Sequence, residues 1–143
     1  MKIHGLSLPA ALDQALESKS LIELDRDRML RVFGVKIGLN LTLSRHALET
    51  ETIALRKLQG TKFAPNYGLE AGSASESGKL DADYCLCLAV NRDEEGLCLD
   101  YRATPESPSV VIGIGTEQPN EPMVWIRVAD TFSQFLENYM GPS

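Results

Sequence analysis

The last third of the chain, residues 96–140, restricts the fold more than any other stretch. Leu97-Cys98-Leu99-Asp100-Tyr101-Arg102, Ser109-Val110-Val111-Ile112-Gly113-Ile114 and Met123-Val124-Trp125-Ile126-Arg127-Val128-Ala129 are three short apolar runs. Loops containing Pro and Gly separate them. Runs of this length, rich in β-branched and aromatic residues and bounded by turn residues, read as strands. Thr131-Phe132-Ser133-Gln134 follows and fits a capping box. In that arrangement the Thr131 hydroxyl accepts from the Gln134 N–H and the Gln134 side chain reaches back to the Thr131 N–H. The segment is therefore read as β-β-β-α.

Upstream, Leu8-Pro9 opens a helix whose Leu8, Leu12, Ala15 and Leu16 share one face, with proline in the first turn. A second short helix is predicted over 25–33, capped by Asp25 and stopped by Gly34. Val35, Ile37, Leu39, Leu41 and Leu43 alternate with Lys36, Gly38, Asn40 and Thr42. That period of two predicts a strand. Ser44 then caps a helix running to Gln59, with Gly60 as the stop. Residues 68–78 are small and polar and are read as a mobile loop. Residues 84–90 return as a strand, and a turn at 91–96 leads antiparallel into 97–102.

A chain of 143 residues is read as one domain, 1–143, large enough for its own core. No run reaches the roughly 18 apolar residues that span a bilayer, and the start Met1-Lys2-Ile3-His4-Gly5 has no apolar signal region. The expected compartment is the cytoplasm, with no membrane partner. A net charge of −6 argues against direct nucleic-acid binding, which needs clustered Lys and Arg. The same charge is compatible with a basic protein partner.

Chemistry-bearing patterns are weak throughout. Cys85 and Cys87 lie two apart on one strand face and Cys98 lies in the next strand. With no Cys-x-x-Cys and both histidines remote, they read as small buried hydrophobes, with no metal and no cofactor expected. Gly113-x-Gly115 lacks the third glycine and the helix start of a dinucleotide loop. Ser44 and His46 would project about 200° apart on a helix, and no Gly-x-Ser-x-Gly elbow exists. Asp100 and Arg102 share a strand face and read as a solvated pair. Trp125, with Met123 and Arg127, falls on the polar-edged face of its strand, opposite Val124, Ile126 and Val128. It is therefore expected to be partly exposed, either at the edge of the core or, since tryptophan is enriched among binding hot spots, at an interface.

The C-terminal unit resembles the SUKH superfamily, the Smi/Knr-type family that includes bacterial immunity proteins. The resemblance is carried by Leu97-Cys98-Leu99-Asp100-Tyr101-Arg102, Pro108-Ser109-Val110-Val111, and Trp125-Ile126-Arg127-Val128-Ala129 through Thr131-Phe132-Ser133-Gln134-Phe135-Leu136. Leu8-Pro9 and Leu41-Thr42-Leu43-Ser44 are similar to earlier family elements. It implies an α+β domain with a mixed, largely antiparallel sheet flanked by helices and no enzyme activity. It further implies a protein-binding role, with a secreted nuclease- or deaminase-type toxin as the partner neutralised. The alternative is a cytoplasmic scaffold or regulatory module that binds an endogenous protein or small ligand. The expected contacts are the acidic positions Asp81, Asp83, Asp93, Glu94 and Glu95, with Tyr101 and Trp125 as anchors.

Overall fold

The computed structural model describes residues 2–18, 21–90, 95–115 and 121–141. A two-residue turn at His4 and Gly5, both at positive φ (52° and 80°), joins β1 (Lys2–Ile3) to β2 (Leu6–Ser7). Positive φ at both central residues is what tight hairpins favour. Helix α1 (Ala10–Glu17) follows, with Pro9 just outside it. Strand β3 (Leu21–Leu24), not expected from the sequence, pairs antiparallel with β4 (Leu39–Thr42) around helix α2 (Arg26–Phe33). The α2 boundaries follow from local chemistry. Asp25 accepts from the Arg28 N–H at 3.0 Å, and Gly34 ends the helix at φ 75°. The regular part of β4 is shorter than the alternation over 35–43. All five alternating apolar residues are nevertheless buried.

Helix α3 (Arg45–Gln59) starts at Ser44, whose hydroxyl accepts from the Ala47 N–H at 3.1 Å. Residues 61–84 contain two 3₁₀ turns, Ala64–Tyr67 and Ala82–Tyr84. Then β5 (Cys85–Val90), β6 (Gly96–Asp100), β7 (Ser109–Ile114) and β8 (Val124–Ala129) form an antiparallel meander in sequence order. Helix α4 (Phe132–Met140) closes the chain. The Thr131 hydroxyl accepts from the Gln134 N–H at 3.0 Å. The reciprocal bond goes one residue earlier than expected, from the Asp130 N–H to the Gln134 side chain.

This is an α+β fold in which every named strand pair is antiparallel, and the one parallel bridge among the described residues joins Leu69 to Leu80. Strands β5 and β6 are buried on both faces, so they are continuous apolar runs rather than alternating ones. Leu86, Leu97, Leu99, Val110 and Ile112 face one core with Leu12, Met29, Phe132 and Phe135. Cys85, Cys87, Cys98, Val111 and Trp125 face the other with Leu55, Leu69 and Leu80. Helix α3 also closes the β5 edge, where Thr52 takes the Cys87 N–H at 2.9 Å. At the opposite edge the 61–84 segment covers the start of β8. The Met123 N–H donates to the Asn66 carbonyl and the Trp125 N–H to the Gly78 carbonyl, at 3.0 and 2.9 Å.

Candidate functional site

The faces of β8 are the reverse of those expected. Trp125 is 5% exposed, while Val124 and Ile126 are 41% and 42% exposed. The cause lies on neighbouring strands. Gly113, paired with Trp125, and Gly96, paired with Gly113, leave a slot without side chains that the indole fills. A Cβ built on either glycine would lie 2.8 or 3.2 Å from ring atom Cη2. The indole N–H donates to the Tyr67 carbonyl at 2.9 Å, so the ring's polar atom is satisfied inside. Glycine within a strand often marks such a close approach, and that was the available signal for this slot.

Asp100 and Arg102 are also the reverse of expectation: the Asp100 carboxylate is buried and the Arg102 side chain is largely covered. Arg102 Nε and Nη2 grip the two Asp100 oxygens at 3.0 and 2.9 Å. The remaining guanidinium donors reach the carbonyls of Ser73, Ala74 and Lys79, at 2.8, 3.0 and 2.9 Å. Burial opposes the charge on Arg102, but its bonds to Asp100 outweigh that and hold its pKa above the ordinary value. Asp81, 2% exposed, fixes the same segment from the other side. It accepts from Gly72 N–H at 2.7 Å, Gln59 Nε2 at 3.0 Å and Asp83 N–H at 3.1 Å. Burial pushes the Asp81 carboxyl upward, but these bonds and the Arg102 charge outweigh it, and its pKa is lowered. Residues 68–78, expected as a mobile loop, are thus fastened through Gly72, Ser73 and Ala74 to Asp81 and Arg102.

The remaining expected contacts separate. Asp83 is exposed, beside the exposed Tyr84. Glu95 is buried and pairs with Arg26 at 3.4 Å. Asp93 and Glu94 lie outside the described residues. Tyr101 is buried and donates its hydroxyl to the Ser7 carbonyl at 2.8 Å, tying the N-terminal hairpin to the sheet. Burial pushes its phenol well above the ordinary range. Tyr101 and Trp125 are therefore internal packing groups, and Asp81 organises a loop. Among the described residues, Asp81, Asp83, Glu95, Tyr101 and Trp125 are not gathered into one surface.

The outer part of β8 presents two neighbouring apolar side chains, Val124 and Ile126, to solvent, in addition to more isolated ones such as Leu30, Phe63 and Met140. Ile112 and Ile126 are register partners on one sheet face. Ile112 is buried under the helices, whereas Ile126 lies beyond their cover, as does Val124 opposite Ile114. A cleft of about 380 Å³ adjoins Val124, with Pro65, Leu69, Gly78, Pro122 and Met123 among its walls. A larger polar cleft of about 640 Å³ lies where β3, β4 and the start of α2 meet, with Glu23, Asp25, Asp27 and Lys36 around it. Arg26 crosses that region, donating to the Lys36 carbonyl at 3.2 Å and pairing with Glu95.

Ser44 is engaged as a helix cap and His46 is exposed beside it. Among the described residues no group of three or more His, Cys, Asp or Glu is placed to hold a metal ion, and no helix is long and apolar enough to cross a membrane. No protein-family model, curated protein or solved structure matches this chain.

Proposed function

We propose that this chain is a non-catalytic protein-binding domain of the immunity type, which neutralises a secreted nuclease- or deaminase-like toxin by occluding it. The observation that carries the binding reading is the pair Val124 and Ile126, two apolar side chains left in solvent on the edge strand of the sheet. Edge strands commonly carry charge or are covered, because an exposed apolar edge invites association. Here the backbone edge at Met123 and Trp125 is covered by residues 66 and 78, while the adjacent apolar side chains are not. That combination suits a partner that docks on side chains. The net charge of −6 suits a basic partner, and the toxin assignment rests on the resemblance of the β-β-β-α unit to the SUKH superfamily.

The polar cleft at the start of α2, with both signs of charge around it, favours the second reading, a cytoplasmic regulatory module for an endogenous protein or small ligand. Co-expression separates the two. The chain is produced together with each polypeptide encoded beside its gene that proves toxic when made alone, and growth and co-purification are followed. Rescue of growth with a stable complex supports the immunity reading. Continued toxicity with no complex refutes it.

A further inference from the structure

Cys87 and Cys98 are direct cross-strand partners in β5 and β6. Two hydrogen bonds define the kind of pair they form. The Tyr101 N–H donates to the Tyr84 carbonyl, which makes Tyr84 and Tyr101 a hydrogen-bonded position of this ladder. Counting inward, the pairs alternate, so Leu86 with Leu99 is hydrogen-bonded and Cys87 with Cys98 is not. The Cys87 N–H agrees, since it points away from β6 to Thr52. At a non-hydrogen-bonded antiparallel position the Cα atoms approach to about 4.5 Å and side chains are closest. That separation lies inside the disulfide range of about 4.4–6.8 Å. Both side chains lie in the same buried cluster. Cys85, on the same face, opposes Asp100 and has its thiol turned to the Asp81 carbonyl at 3.2 Å.

We infer that Cys87 and Cys98 are a dithiol site that closes to a cross-strand disulfide by exchange with a low-molecular-weight disulfide such as oxidised glutathione. One cysteine thiolate attacks the glutathione disulfide, forms a mixed disulfide and releases one reduced glutathione. The second cysteine thiolate attacks the protein sulfur of that mixed disulfide and releases the other. The two cysteines lose two electrons and two protons, and the oxidant becomes two thiols. Closure joins β5 to β6 across residues 88–97. Both thiols are buried, and burial holds the Cys98 thiol well above its ordinary pKa. Exchange therefore proceeds through transient parting of the two strands and is slow in the fully native protein.

The full chain is incubated with oxidised glutathione in urea below its unfolding midpoint. Remaining thiols are then alkylated under denaturing conditions, and intact mass and linked peptides are read. The expected product has lost two hydrogens, carries one alkylated cysteine at 85, and contains a peptide linking 87 to 98. Cys85→Ser retains that product, and Cys87→Ala and Cys98→Ala each abolish it. Circular dichroism of each variant establishes that it folds. Three alkylated thiols in the wild type, glutathione adducts alone, or a link involving Cys85 would overturn the inference.

Discussion

The indole of Trp125 rests on the bare Cα of Gly113, its register partner on β7, with ring atoms 2.8 to 2.9 Å from where a Cβ would stand. The slot admits the ring only because the facing strand carries no side chain there. Gly113→Ala is an overpacking change into backbone-fixed space and should cost about 1–3 kcal/mol. Trp125→Ala empties the slot and should cost about 3–5 kcal/mol. Urea unfolding followed by circular dichroism measures both. Since Trp125 is the only tryptophan, a red shift of its fluorescence in Gly113→Ala would report the ring's displacement directly.

The bond between Asp100 and Arg102 ties the sheet to residues 73–79, so its loss should be felt in two places. Asp100→Ala leaves the guanidinium buried without its counter-charge and should destabilise by about 3–5 kcal/mol. Arg102→Lys keeps a charge but cannot hold both carboxylate oxygens and three carbonyls at once, so it should recover little of that. Limited proteolysis should show cleavage within residues 73–79 in both variants before global unfolding. Equal protection of that segment in variant and wild type would mean Arg102 does not hold it.

Asp81 supplies a pH dependence with a definite sign. Its folded-state pKa is lowered, so protons bind the unfolded chain more readily. The resulting stability is complete above the unfolded value of about 3.9 and is lost as pH falls through the folded one. Acidification from pH 5 to pH 3 should therefore lower the urea midpoint of the wild type, and Asp81→Asn should flatten that slope. An unchanged slope would show that the carboxylate's bonds to Gly72, Gln59 and Asp83 do not stabilise its charged form.

Tyr101→Phe removes the hydroxyl that reaches Ser7 and should cost about 0.5–1.5 kcal/mol. Because the ring is internal, the same change should leave partner affinity unaltered. A loss of affinity at unchanged stability would restore Tyr101 as a contact residue.

Features encoded by neighbours in sequence were the legible ones. Asp25 with Gly34, Ser44, and Thr131 with Gln134 mark helix ends at the observed residues, because a cap is satisfied within one turn. Strand β3 was not legible, since Leu21–Leu24 is four residues long and gains its identity from pairing with β4. Alternation correctly split β8 into two faces but could not say which was inner. That choice is made by Gly96 and Gly113, on other strands. Asp100 and Arg102 were legibly on one face. Their burial depends on carbonyls of Ser73, Ala74 and Lys79, which the sequence does not bring near them. Two of the acidic positions were illegible for the same reason: Asp81 and Glu95 are engaged by partners far along the chain, Gln59 and Arg26.

A titration tests most directly whether the outer face of β8 binds a protein. Binding of whichever polypeptide co-purifies with the chain from co-expression with its neighbouring genes is measured by calorimetry for wild type and for Val124→Lys/Ile126→Lys. Both side chains are in solvent, so lysine there should change stability by no more than about 0.5 kcal/mol per site. If each acts as a hot spot of about 2 kcal/mol, the double variant should bind several hundred-fold more weakly. Equal affinity of the double variant and the wild type, with both folded, would contradict the account.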